Sequence, residues 1–356
     1  MGDLSKDDIR TKNKYDTSKV HLKAIPKEFY DVYMNKEYTP SMLSELFGVG
    51  KRTIRKWKLT IREEVGFQKE VAMPKEIDVE DLVEERVKKF DRKTRKKNYE
   101  KLVSINVLQD GPIGIAHFGD PHVDDDGTNI GMLLQHAKLV KETKGLFGGN
   151  VGDVQNNWVG RLGRLYGEQS TSAKESWKLT EHFITMVPWL YLCGGNHDAW
   201  SGQGDPLEYM VGQPTVYANH QVRLNLKFPN GKQVRVNCRH NFKGHSMYNT
   251  AHGITKAAMM GWRDHILTAG HTHVSGYQVV KDPMNGLISH AIRCGSYKTF
   301  DGYAEALGLA DQCIFVCPVT IIDPKYDDAD PRLVTTVFDP FEGAEYLTWK
   351  RSKKSA

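Results

Sequence analysis

Apolar positions along the chain follow two rhythms, and the change between them falls at Pro112. Ahead of it the spacing is helical. Ile25, Phe29, Val32 and Tyr33 predict a short helix ending near Asn35. Thr39-Pro40 opens a second helix, with threonine as cap and proline in the first turn. Leu43, Leu46 and Phe47 form its apolar face. Gly48-Val49-Gly50 predicts a tight turn. Lys51 to Lys58 then forms a third helix in which Ile54 and Trp57, three apart, face inward. Residues 1–25 show no such rhythm and read as a solvated tail ahead of a 26–62 module. Residues 63–105 read as a basic helical connector. In it Ile77, Leu82, Val83 and Val87 give an amphipathic pattern that runs into Arg86–Lys97, where eight of twelve residues are basic.

Beyond Pro112 short apolar runs alternate with helical stretches, which predicts an α/β domain over 106–350. Ile113 to Phe118 reads as a strand, Asn129 to Thr143 as a helix and Leu146-Phe147 as a short strand. A helix from about Ser172 to Met186 leads into the apolar run Val187 to Leu192, which glycine breaks at Gly194-Gly195. Val222–Phe228 and Gln233–Arg239 flank Pro229-Asn230-Gly231, a strong hairpin signal. His265–Ala269, Leu287–Ile292, Cys313–Ile322 and Leu333–Phe338 read as further strands.

Charge changes this picture in one respect. The net +5 of the 356-residue chain is unevenly placed: residues 1–105 hold 25 Lys/Arg against 19 Asp/Glu, and the remainder is close to neutral. A polyanion would meet the N-terminal third first. No apolar run is long enough to cross a bilayer, and Met1–Lys23 holds no apolar signal segment. Five cysteines, Cys193, Cys238, Cys294, Cys313 and Cys317, sit mostly inside apolar runs, which favours reduced core thiols in a cytoplasmic protein. Cys313 and Cys317 fall in a strand-like context, Cys-Ile-Phe-Val-Cys, and read as core rather than as a metal pair.

The N-terminal layout of helix, glycine turn and basic helix with a buried tryptophan resembles the helix-turn-helix DNA-binding module over about 35 residues. The resemblance implies DNA contact by Lys51, Arg52, Arg55, Lys56 and Lys58. The alternative is a small helical cap with a solvated basic face.

The chemistry gathers at strand ends in the second part. Asp120 and His122, Asp153, Asn196 and His197, His240, and His271 and His273 all follow predicted strands. Carboxylate, imidazole and amide oxygen suit divalent metals of intermediate hardness. Alternate residues of an extended segment point the same way, so Asp120/His122 and His271/His273 each direct two groups to one place.

Asp-Pro-His at 120–122, Gly-Asp-Val-Gln-Asn at 152–156, Gly-Asn-His-Asp at 195–198, the isolated His240, and Gly-His-Thr-His at 270–273 occur in that order. Together they resemble the calcineurin-like metallophosphoesterases, over roughly residues 112–300. The resemblance implies a four-layer α/β sandwich of two mixed sheets flanked by helices, joined here to a small all-α module. It also implies two divalent ions about 3.5–4 Å apart. Manganese is the first expectation, with iron, zinc or magnesium as alternatives. By family pattern Asp120, His122 and His273 hold one ion, and Asn196, His240 and His271 the other. Asp153 bridges both. His197 stabilises the transition state or protonates the leaving oxygen, and Asp198 orients it.

Two features depart from the pattern. Asn156 stands where many members have aspartate. His245 competes with His240 for the fourth block. His240 is preferred because it directly follows the Val234/Val236 alternation, whereas Lys243-Gly244-His245-Ser246 reads as a loop.

Arg161 and Arg164, in a glycine-rich loop after Asp153, are candidates for gripping substrate phosphates. Arg293–Lys298 follows a strand and is a candidate for lining the same cleft. Asp124-Asp125-Asp126 reads as a solvated acidic turn. The expected activity is metal-dependent phosphodiester hydrolysis with DNA as partner, in an arrangement that resembles phage proteins. The alternatives are a phosphomonoesterase or small-nucleotide phosphodiesterase, or a silent DNA-binding scaffold. Oligomeric state is not legible at this level.

Overall fold

The computed structural model describes residues 25–33, 38–64, 78–156, 169–198, 206–300, 305, 308 and 310–353. The chain divides into two compact units, Met1–Arg86 and Val87–Ala356. Among the described residues no helix is long and apolar enough to cross a membrane.

In the first unit, α1 (Lys27–Val32), α2 (Pro40–Phe47) and α3 (Lys51–Glu64) enclose Phe29, Leu43, Ile54, Trp57 and Ile61. Thr39 caps α2 through its hydroxyl, which accepts from Met42 N at 3.3 Å, and Pro40 occupies the first turn. The rings of Phe29, Phe47 and Trp57 meet edge to face, with centroids 5.1–6.2 Å apart. Such pairs add to plain area burial. Burying Ile54, Trp57 and Ile61 leaves Lys51, Arg52, Arg55 and Lys56 exposed and Lys58 half-buried. Helix α4 (Val79–Glu100) follows, 22 residues long with none buried.

The second unit holds two six-stranded mixed sheets. One has β2 (Ile113–Phe118), β3 (Leu146–Asn150), β4 (Trp189–Gly194) and β5 (Val216–Asn219) as parallel neighbours. Antiparallel β11 (Val319–Ile322) and β12 (Val334–Val337) continue it beyond β2. The other runs β1 (Val103–Asn106), β6 (Gln221–Lys227), β7 (Gln233–Arg239), β8 (Ile266–Ala269), β10 (Ile288–Arg293) and β9 (Gly276–Lys281). There β7 is parallel to β8 and antiparallel to β6, its hairpin partner.

Strand periodicity assigns the faces. Ile113 and Ile115 of β2 join Tyr191, Leu224, Val236 and Ile266 in the core between the sheets. Ala116 and Phe118 turn outward onto α5 (Ile130–Glu142), α6 (Ala173–Met186) and α8 (Pro340–Ser352), meeting Leu133, Phe183 and Leu347. The outer face of the other sheet packs Leu267, Ala269 and Ala291 against Ile254 of α7 (His252–Ala257) and Ala258 of the π-helical turn after it. The result is the four-layer sandwich expected from the sequence.

Three readings change. Val103–Asn106, assigned mostly to the connector, is a strand that pairs with β6, because Val103 and Ile105 alternate toward the core. Cys313–Pro318 is not strand: Ser275 Oγ bonds Ile314 N, Phe315 N and Phe315 O, which pins an irregular segment instead. Strands β5 and β9 carry no run of buried residues, so apolar patterning did not reveal them. Four of the five cysteines are buried thiols, as expected, and Cys313 is half-buried.

Candidate metal centre

Strands β2, β3 and β4 run parallel and adjacent in one sheet, and β7 and β8 do so in the other. Their carboxyl ends therefore converge, the usual location of ligand groups in α/β sheets. Asp120 and His122 follow β2, Asp153 follows β3, Asn196 and His197 follow β4, His240 ends β7, and His271 and His273 follow β8. Segments 120–122 and 271–273 are not extended, so the expected alternation is not what aims their side chains. His122, Asp153, His271 and His273 instead lie at φ of 41°, 48°, 73° and 55°. Non-glycine residues occupy that left-handed region only where the surroundings impose it.

The side chains form two groups. In one, His122 Nε2 is 3.2 Å from His273 Nε2, and His273 Nε2 is 3.7 Å from Asp120 Oδ2. In the other, His240 Nε2 lies 2.8 Å from Asn196 Oδ1, 3.0 Å from His271 Nδ1 and 3.1 Å from Asp153 Oδ2. Donor atoms of Asp153, His240 and His271 all lie within 4.8 Å of one another. His245, the rival for the fourth block, is exposed in a loop, whereas His240 is buried with Nδ1 bonded to Val151 O at 3.1 Å.

The electrostatics follow from burial. Burial pushes Asp120 up to about 6 despite the neighbouring His240. Burial alone would raise Asp153 too, but hydrogen bonding and charge from His240 outweigh it and hold the carboxyl below its usual range. Burial likewise opposes a charged His240, yet its bond to Asp153 carries it up to about 10. His122 is held well below the usual imidazole range by burial and then by the charges of His273 and His197.

The residues fit divalent metal. Ring nitrogens, carboxylates and an amide oxygen face one another at 2.8–3.7 Å, a donor set for Mn, Fe or Zn. Asp120 Oδ1 is buried with no hydrogen-bond partner among the described residues. Glycine keeps room at both carboxylates: a Cβ on Gly270 would overlap Asp120 Oδ1, and one on Gly195 would overlap Asp153 Oδ1.

Around these groups the structure corrects several expectations. Asp198 was expected to orient His197, but its carboxylate accepts from Gly195 N at 2.8 Å and Val154 N at 3.0 Å. It therefore ties the loops after β3 and β4 together. The His197 ring is held instead by the carbonyl of Asn156, 2.6 Å from Nδ1. Asp124 and Asp125 are not a solvated turn. They are buried and take Asn156 N at 2.7 Å and Asn156 Nδ2 at 2.8 Å. Asn156, the departure from the family pattern, meets His122 Nδ1 with Oδ1 at 2.8 Å.

Arg293 is buried. Nη1 donates to Gly270 O and to Thr272 Oγ1 at 2.8 and 2.9 Å, bracing the loop of His271 and His273. Arg161 and Arg164 lie outside the described residues. A cavity of about 1180 Å³ opens beside the centre, lined among others by His271, His273, Arg293, Ser296, Lys298 and His245.

Sequence reasoning missed Asp124, Asp125 and the bracing role of Arg293. The one signal was position: Asp124-Asp125 stand directly after Val123, which is core.

No protein-family model and no curated protein matches this chain. Among solved structures it is similar to vacuolar protein sorting 29 from Cryptosporidium parvum, at 12% identity and a TM-score of 0.36, over 65% of this chain and 98% of that one. It is similar also to the calcineurin-like phosphoesterase YfkN from Bacillus subtilis, at 12% identity and 0.35, over 68% and 96%. A third is a hypothetical protein from Thermus thermophilus, at 11% identity and 0.36, over 63% and 98%.

Proposed function

We propose that this chain is a two-metal phosphoesterase of the calcineurin-like type that hydrolyses phosphodiester bonds in DNA. The observation that carries the reading is the convergence of six strand-end residues into two donor groups beside Asp153. Asp120, His122 and His273 would hold one divalent ion. Asn196, His240 and His271 would hold the other, and Asp153 would serve both. Ions bound there would supply Lewis-acid polarisation of a phosphoryl oxygen and a water nucleophile at neutral pH.

The remaining chemistry belongs to the chain. His197 donates from Nδ1 to the Asn156 carbonyl, which fixes the ring of the residue that would exchange a proton with the leaving oxygen. Its ring stands 5.0 Å from that of His122, edge to face, so it borders the centre. Arg293 keeps the His271–His273 loop in place through its bonds to Gly270 O and Thr272 Oγ1. The cavity exceeds what a phosphate group alone requires and suits a nucleotide or larger ester. DNA is favoured over small esters because α3 turns Lys51, Arg52, Arg55 and Lys56 to solvent while Trp57 anchors it.

The deciding experiment is manganese-dependent cleavage of linear, circular and single-stranded DNA, set beside nitrophenyl mono- and diesters. Cleavage of DNA and of the diester is expected, lost with its metal in Asp153→Ala. His240→Ala should lose one ion and His245→Ala neither. Turnover of the monoester alone would make the protein a phosphomonoesterase. No turnover of any ester with two metals bound would leave a DNA-binding scaffold.

A further inference from the structure

The Asn156 amide stands between His122 and a carboxylate that the reaction itself does not use. We propose that Asp125, backed by Lys298, is a positioning residue that sets which nitrogen of His122 carries the proton, by fixing which way round the Asn156 amide lies. The inference rests on the two-metal reading, since it concerns the nitrogen that His122 turns toward the centre.

The argument is one of donors and acceptors. Asp125 Oδ2 lies 2.8 Å from Asn156 Nδ2 and 3.0 Å from Lys298 Nζ, while Asp125 Oδ1 accepts from Gly127 N at 2.8 Å. A carboxylate only accepts, so the amide must offer it the NH2 group. The amide carbonyl is thereby driven to the other side, where Oδ1 is 2.8 Å from His122 Nδ1. A carbonyl also only accepts, so His122 Nδ1 holds the hydrogen. The neutral ring then presents a bare Nε2, the nitrogen 3.2 Å from His273 Nε2. With the amide turned over, its NH2 would face Nδ1, the ring proton would move to Nε2, and that nitrogen could not bind a metal.

The two orientations of an amide have nearly the same shape, so packing does not choose between them. Asp125 chooses. It is 7% exposed and Asn156 is 1% exposed, which keeps water from substituting for either. Metal-ligating histidines in general depend on such a partner at the second nitrogen. Here the partner is a neutral amide, and the carboxylate stands one residue further back.

The test uses two readouts on the full chain. In metal-free protein, 15N NMR of the imidazole rings distinguishes the tautomers, with His122 identified by its loss in His122→Gln. Zn2+ titration calorimetry then follows the two sites. Wild type should show His122 protonated at Nδ1. Asp125→Asn can donate to Asn156 and so permits the flip. It should move His122 toward the Nε2-protonated form and weaken one of two Zn2+ sites by about 10–100-fold. The exchange Asp125→Asn with Asn156→Asp puts an acceptor-only group against His122 again and should restore both. Should Asp125→Asn fail to fold, the exchanged variant still decides: a folded exchange with the Nε2 tautomer overturns the proposal. So does Asp125→Asn with unchanged tautomer and Zn2+ affinity. If wild type binds no Zn2+ while the tautomers change as stated, the two-metal reading fails and the positioning of His122 by Asp125 stands.

Discussion

Replacing Asp198 by alanine separates two roles that the sequence alone could not separate. If Asp198 orients His197, its loss is a kinetic defect in a stable protein. The geometry gives the opposite expectation. Both carboxylate oxygens accept backbone N–H groups, Gly195 at 2.8 Å and Val154 at 3.0 Å, and the side chain is fully buried. Alanine leaves two buried donors unpaired, at about 1–3 kcal/mol each, so the fold should lose roughly 2–6 kcal/mol. Asparagine keeps one acceptor and should lose about half of that. The assay is urea unfolding at pH 7 with metal content measured alongside. Surviving folded Asp198→Ala should retain the His197–Asn156 contact and so lose little turnover per bound metal. An unchanged urea midpoint together with a hundredfold fall in turnover would return Asp198 to the orienting role and refute this reasoning.

His197→Ala should keep both metals and slow turnover by about 10²–10⁴-fold, more for poor leaving groups than for nitrophenolate; equal losses across a leaving-group series would exclude proton donation. Removing residues 1–62 should weaken duplex binding and flatten its salt dependence by about 0.9 in log–log slope per lost phosphate contact, and Arg52→Ala with Arg55→Ala should do so in part. Unchanged DNA affinity and slope would leave α3 a solvated basic face. His117, fully buried, is pushed down to about 3 by burial, and burial pushes His290 down to about 4. Both bind protons when unfolded but not when folded, so their contribution is present above about pH 6.5 and lost as pH falls toward 4 and 3. For His117 the slope approaches about 1.4 kcal/mol per pH unit. Buried Asp120 and Asp198, pushed up to about 6 and about 7, act in the opposite sense over the same range. The test is therefore the difference between wild type and His117→Gln: an unchanged stability slope from pH 7 to pH 5 in the variant would contradict this.

The gathering of the candidate metal-binding residues was legible because they sit at strand ends, and strand ends are marked by apolar runs stopping at glycine. The order of blocks along the chain then told which ends belong together. The hairpin of β6 and β7 was legible for the same reason, through its turn and its alternation. What the sequence withheld were contacts between polar residues of different segments. Asp125 and Asn156 are 31 positions apart, and nothing in a run of three aspartates says that two of them are buried. Asp198 misled because adjacency in sequence suggested adjacency of side chains, while the turn after β4 sends its carboxylate toward the backbone instead. Segment Cys313–Pro318 misled in another way: its composition fits a strand, but Ser275 supplies competing bonds that periodicity cannot register.

The left-handed residues bear on how such a centre decays. Holding His122, Asp153, His271 and His273 at positive φ costs about 1 kcal/mol at each position in the metal-free chain, where glycine or asparagine would sit more easily. A lineage released from catalysis would therefore gain stability by drifting at these four positions before others, since each first substitution both relaxes the backbone and removes an unneeded charge or ring. The direction of neutral change is thus written into the backbone. In a silent descendant those positions should turn to glycine or asparagine while the apolar strands around them stay. This chain carries histidine or aspartate at all four, against the gradient that its own backbone sets.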